Sequence, residues 1–211
     1  MSTAAVADTR PYHHGDLRRA LVDAAIRILE REGPSALSLR AVAREAGVSP
    51  AAPYHHFKDK GELLDAVAHV GWEALGVAMT EAKDRSADLS GLLTEIGVSY
   101  VQFSQDHPAL YRVMYDCSRD KDALPEGIQD KEDSAYCLVR GAFRHVAGPQ
   151  VADVDIELAT IAAWCAAHGL AEMSMFKQFT PLKEAFGGEE GFLRAVLSHL
   201  GMFTPRVLPQ D

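Results

Sequence analysis

Between Ser38 and Lys60 the sequence collects side chains suited to gripping a polyanion. Arg40, Tyr54, His55, Lys58 and Lys60 all donate hydrogen bonds, and three of the five carry fixed positive charge. Ser38 and Ser49 add hydroxyls. Ala51 and Ala52 are small enough to let a backbone approach base edges, and an alanine methyl can touch a thymine methyl. Arg40 could reach a base or a phosphate. The chemistry these types suggest is recognition of double-stranded DNA.

Such residues need a scaffold that presents them to a groove, and the sequence around them supplies one. Ser38 is placed to cap a short helix whose apolar side is Leu39, Val42, Ala43 and Ala46. A helix-turn-helix requires a small residue where its helices cross, a glycine that accepts positive φ in the turn and an apolar residue after it. Ala43, Gly47 and Val48 stand at those separations. Ser49 can then cap a third helix with Pro50 at its first position, where a missing N–H costs nothing. Pro53 would delete only the bond to the Ser49 carbonyl, but it disfavours α geometry at Ala52, so some 3₁₀ character is expected. Tyr54 in part, and Phe57 fully, are expected to pack inward.

Ahead of this unit, Asp16 reads as the cap of a helix with Leu17, Leu21, Ala24, Ala25, Ile28 and Leu29 at helical spacing, ended by Gly33-Pro34. Beyond it, Asp59 and Glu62 have capping-box spacing and open a long helix. Further helices are expected at about 89–105, 108–115, 125–146, 151–179 and 188–203, with breaks that include Thr180-Pro181. No period-2 pattern or internal repeat stands out, so the expected fold is all-α. It divides into an N-terminal arm (1–15), a DNA-binding domain (16–62) and an effector-binding and dimerisation domain (63–211).

Charge is partitioned in the same way. The 211 residues carry a net charge of −9, yet residues 1–70 hold nine Lys and Arg against nine Asp and Glu. The whole deficit lies in residues 71–211. Five of the nine histidines (His13, His14, His55, His56, His69) also fall in the first part and can add positive charge beside DNA. A chain with pI near 5.4 is a poor candidate for non-specific DNA packaging. No apolar run reaches the roughly 18 uncharged residues of a membrane span, and the first residues lack a secretory layout, so a cytoplasmic location is expected. Cys117, Cys137 and Cys165 are widely spaced, match no zinc or redox motif and are expected as buried free thiols. His168 with Glu172 or Asp155 lacks any accompanying nucleophile, metal or cofactor motif, so neither enzyme activity nor a cofactor is expected.

The run from Asp16 to about Val70 resembles the N-terminal domain of TetR-family transcriptional regulators. The most diagnostic part is SLRAVAREAGVSPAAPYHHFKDKGELL, in which Tyr54, Phe57, Lys58, Lys60 and Leu63-Leu64 stand where the family's Tyr-x-x-Phe-x-x-Lys-x-x-Leu-Leu run falls. The resemblance implies a three-helix DNA-binding head joined to a larger helical domain, in a homodimer that reads a palindromic operator, with repression as the family default. Ala51, Ala52 and Pro53 depart from the family pattern, which shifts base reading toward the backbone, Tyr54, His55 and Arg40. In AAWCAAHGLAEM, Trp164 and His168 with Gly169 resemble the Trp-then-His-Gly signature of one class of TetR-type C-terminal domains.

Two readings of Trp164 and His168 stay open at this level. They are core residues, with the histidine hydrogen-bonded, or they line a cavity for an apolar or amphipathic effector with some of Tyr100, Phe103, Tyr111, Met114, Cys137, Met173 and Phe176. The Ala- and Gly-rich segment 159–171 permits close helix approach, and Phe192, Leu193, Val196, Leu197 and Leu200 follow on the last helix. The resemblance implies that the last two long helices pair with their copies, although packing within the chain explains the same residues.

Overall fold

The computed structural model describes residues 14–86, 89–116, 125–129, 131 and 134–199. Among them are nine α-helices and no strand. They are α1 (His14–Glu32), α2 (Leu39–Glu45), α3 (Lys60–Arg85), α4 (Leu89–Asp106), α5 (Pro108–Asp116), α6 (Ala135–Ala147), α7 (Asp153–Ser174), α8 (Thr180–Ala185) and α9 (Glu189–His199). The chain forms two compact units, one ending at Val67 and the other beginning at Ala68, so α3 crosses the division.

In the first unit, α1 contributes Leu21, Val22, Ala24, Ala25, Ile28 and Leu29 to a core completed by Leu37, Leu39, Val42, Ala43, Phe57, Leu63 and Val67. These positions recur every three or four residues, which gathers them on one stripe of each helix. α1 begins at His14, so Asp16 sits in its first turn and not at the cap. At its other end Gly33 takes φ +80° and its N–H returns to the Leu29 carbonyl at 2.9 Å. Asp59 and Glu62 form the expected cap of α3. The Glu62 N–H donates to Asp59 Oδ1 at 3.0 Å, and Glu62 Oε2 accepts from the Lys58 N–H at 2.7 Å.

In the second unit α4 is the central helix, packed against α5, α6, α7 and α9. Ser134 caps α6 by accepting the Cys137 N–H at 3.1 Å, so that helix starts ten residues later than its apolar pattern suggests. The preceding stretch contains a 3₁₀ turn, Glu126–Ile128. Gly127 lies so close to Trp72 that a Cβ there would fall 2.0 Å from the indole Cε3. α7 ends at Ser174, and Thr180-Pro181, expected as a break, instead starts α8, because proline suits a first helical turn. Lys183 ties that turn down, donating to the Ser174 carbonyl at 2.6 Å and pairing with Glu189 at 2.5 Å.

α7 is long and apolar enough to cross a membrane by length and composition alone. In this fold it packs on α4 and α6 and buries Ile156, Ala163, Trp164, Ala167, Leu170 and Ala171. The cysteines depart from expectation. Cys165 is exposed on α7 and Cys137 is half-buried on α6, because each falls off the core-facing stripe of its helix; Cys117 lies outside the described residues.

Candidate functional site

Ser38 is in extended conformation and its Oγ accepts the Ala41 N–H at 3.1 Å, which starts α2 and leaves Arg40 exposed in the first turn. The helix ends in a Schellman motif. The Val48 N–H reaches the Ala43 carbonyl at 2.9 Å and the Gly47 N–H reaches that of Arg44 at 3.2 Å, with Gly47 at φ +69°. Glu45 is held by Arg31 at 2.9 Å and Arg27 at 3.2 Å, pairs that tie the end of α2 to α1. These hydrogen bonds and charges keep the Glu45 carboxyl below the usual carboxylate range.

The element after the turn is not an α-helix. It is one 3₁₀ turn, Ala52–His55, with Ala51 at its cap position, so the expected Ser49 cap is replaced. The cause is local. Pro53 has no N–H to give the Ser49 carbonyl, and the Ala52 N–H takes that carbonyl at 3.0 Å in the tighter i→i−3 pattern. Pro53 and Phe57 turn inward and are buried, with the Arg18 guanidinium 5.2 Å from the Phe57 ring centre. Ser49, Ala51, Tyr54, His55, Lys58 and Lys60 are exposed and Ala52 is half-buried. Tyr54 is 54% exposed, more than its expected partial inward packing. Lys60 Nζ donates to the Pro34 carbonyl at 2.9 Å, which fixes the side chain while two ammonium protons stay available.

The second unit holds a polar cluster among aromatic rings, with Tyr100 and Tyr111 buried and Tyr115 and His168 half-buried. Tyr100 is its hub. The Tyr100 hydroxyl is 3.0 Å from that of Tyr111, in short contact with that of Tyr115, and 3.2 Å from His168 Nδ1. Tyr111 Oη lies 2.6 Å from the same nitrogen. Trp72 stands edge-on to Tyr115 at 5.2 Å and Trp164 edge-on to Tyr100 at 5.5 Å. Burial raises all three phenols, Tyr115 to about 12; neighbouring phenols add to the rise of Tyr100, and Glu172 adds to that of Tyr111. They therefore act as neutral donors.

Among the described residues Trp164 Nε1 is buried without a partner in hydrogen-bonding geometry, although it faces the Tyr115 hydroxyl closely enough to moderate that phenol's rise. Tyr100 and Trp164 also line a small apolar cavity with Met79, Leu93, Ile96, Ala167 and Leu197.

Of the residues expected around an effector, the fold brings together Tyr100, Tyr111, Trp164 and His168. Phe103 packs on His107 at 5.1 Å, Met114 is buried beside Gly71, and Cys137 lies 3.6 Å from Arg140 Nη2. Met173 and Phe176 are 49% and 52% exposed, at the end of α7 and just beyond it. Sequence reasoning missed Tyr115 and Trp72. The four-residue spacing of Tyr111 and Tyr115, one face of α5, was the available signal for the first; the second had none. Of the residues open to either an interface between copies or packing within the chain, Phe192, Leu193 and Leu197 are buried where α9 packs on α4 and Val196 is half-buried; Leu200 lies outside the described residues.

A capped helix, a Schellman turn and an exposed basic tip define a helix-turn-helix DNA-binding unit, here carried by an all-α chain. Residues 21–67 match the model of the bacterial regulatory proteins of the tetR family, and residues 93–198, half of the chain, match that of the tetracyclin repressor-like C-terminal domain. The chain belongs to the TetR family of transcriptional regulators.

An HTH-type transcriptional regulator of Haemophilus influenzae, described as uncharacterized, is 38% identical over 112 residues. These are 52% of this chain and 54% of the relative, so the chain spans about half the length of the curated relative it matches. A Rhodococcus sp. RHA1 protein of unknown function has a similar structure, with a TM-score of 0.69 at 29% identity, over 92% of this chain and 97% of that one. A Streptomyces coelicolor TetR-family regulator shares the fold, with a TM-score of 0.61 at 21% identity, over 90% and 99% of the two chains.

Proposed function

We propose that the protein is a repressor that binds a palindromic operator as a homodimer in the cytoplasm and is released by a small molecule bound in residues 68–211. The observation that carries this reading is the cluster of buried Tyr100 and Tyr111 with half-buried Tyr115 and His168, beside the buried Trp164 N–H. Buried polar groups cost stability unless they are satisfied, so a donor left open inside the core of a DNA-binding regulator points to a guest.

For DNA contact we assign Ser38, Arg40, Ser49, Ala51, Ala52, Tyr54, His55, Lys58 and Lys60, with two copies of this tip set roughly 34 Å or a multiple apart. For dimerisation, α7 offers Val154, Leu158 and Ile161, all exposed, with Cys165 on the same stripe. An apolar stripe of this kind suits a second copy better than water, and the outer side of α9 adjoins it in our reading. A typical coupling of about 1–3 kcal/mol between effector and operator would weaken DNA binding some 5- to 150-fold.

Selection of bound sites from genomic DNA with the purified protein tests the reading. A two-fold symmetric site is expected. Absence of preference over competitor DNA at physiological salt would refute it.

A further inference from the structure

The hydroxyl protons of the tyrosine cluster divide between two arrangements when His168 Nδ1 accepts. In one arrangement Tyr115 donates to Tyr100, Tyr100 to Tyr111 and Tyr111 to His168 Nδ1, which uses every phenolic proton inside the row. In a second, Tyr111 keeps its bond to His168, Tyr100 donates to Tyr115, and the Tyr115 proton turns outward. The row tolerates both because Tyr100 touches both neighbours. In the second arrangement the Tyr115 O–H and the Trp164 N–H, which faces it, become two neutral donors open to one acceptor.

Trp164 is 8% exposed, so its unpartnered N–H is withheld from water. The carboxylate that acts on the cluster itself is that of Glu172, and Tyr136, whose ring lies 6.2 Å from that of Trp164, brings a second through Glu157. Glu172 acts on Tyr111, Glu157 accepts the Tyr136 hydroxyl proton, and Arg140 is turned to Glu157 at 3.9 Å. A carboxylate guest would meet the Glu172 carboxylate, with His168 the ionisable base in the row. A cation would find donors where it needs acceptors.

We propose that the effector is a neutral carbonyl compound, an aldehyde, ketone or ester, whose oxygen accepts from Trp164 Nε1 and Tyr115 Oη while its compact apolar body enters the adjoining cavity. This assignment rests on the effector reading given above. One carbonyl oxygen has two lone pairs and so satisfies both donors. The cavity is about 20 Å³, the room of a single water, and two of its walls are Met79 and Leu197, fully buried in α3 and α9. A ring-sized guest displaces these side chains, and α3 is the helix that runs on into the DNA-binding unit.

The test uses the full chain and three probes of similar size, acetophenone, benzoate and benzyltrimethylammonium, titrated by calorimetry with operator affinity measured in parallel. Acetophenone is expected to bind saturably and at least about tenfold tighter than either ion. Trp164→Phe keeps a ring and removes the donor; Tyr115→Phe does the same for the hydroxyl. Each should weaken acetophenone roughly 3- to 10-fold, the worth of one hydrogen bond, with circular dichroism confirming the fold. No acetophenone binding, tighter binding of either ion, or affinity unchanged in both variants would overturn the assignment. Acetophenone binding that obeys the variants but leaves operator affinity unchanged supports the site and refutes release. An ion that releases the operator and ignores both variants supports release and refutes the site.

Discussion

Lys58 and Lys60 are both exposed at the tip proposed to contact DNA, but they differ in what else they hold. Lys60 anchors the Pro34 carbonyl, whereas Lys58 contributes only its backbone N–H to the α3 cap. Lys58→Ala is therefore expected to weaken binding evenly across sequences and lower the salt slope by about one, read from affinities at several salt concentrations. The buried phenols make a second residue-level prediction. Tyr115 ionises near 12 in the folded chain against 10 when unfolded, and Tyr100 and Tyr111 are raised further. A phenol raised in this way contributes stability that is complete below pH 10 and lost as pH rises through the folded value. Tyrosinate absorbance should show these three of the six tyrosines ionising only with alkaline unfolding, and stability should fall steeply from about pH 10 to 12. Ionisation of all six together near 10 with the fold intact would contradict the geometry.

At the scale of elements, two glycines are needed for different reasons. Gly47 takes φ +69°, and a Cβ there meets open space, so the cost of Gly47→Ala is conformational, about 1–2 kcal/mol in a denaturant melt. Gly47→Asn should recover part of it, since asparagine tolerates this region better. Gly127 is needed for space. A side chain at 127 must push the 3₁₀ turn off the Trp72 ring, which lies against Tyr115, so Gly127→Ala should disturb tryptophan fluorescence more than Gly47→Ala does. The 3₁₀ tip is itself a proline effect. Pro53→Leu restores the missing N–H, and the site preference of that variant in a selected pool should shift, because exposed Tyr54 and His55 ride on the affected turn.

For the whole molecule, the exposed stripe of α7 carries the prediction. Leu158→Glu places a charge at its centre, on a residue already 60% exposed, so the fold should be preserved. On the proposed homodimer, sedimentation should show dissociation to monomer, and operator affinity should fall because half-sites are then bound singly. A Leu158→Glu protein that remained dimeric would move the interface away from α7.

The sequence by itself determined the all-α class and the cap and glycine of the helix-turn-helix. It also determined the inward turn of Phe57 and the 3₁₀ bias of Pro53. These follow from interactions within a few residues: a serine oxygen on the next turn, a glycine at positive φ, a proline without an N–H. Only the tertiary structure decided that Tyr115 and Trp72 join Tyr100, Tyr111, Trp164 and His168, that Met173 and Phe176 face outward, and that the apolar face of α9 is spent inside the chain. Those outcomes depend on which of several amphipathic helices meet. Periodicity gives each helix an apolar face; only packing names the partner.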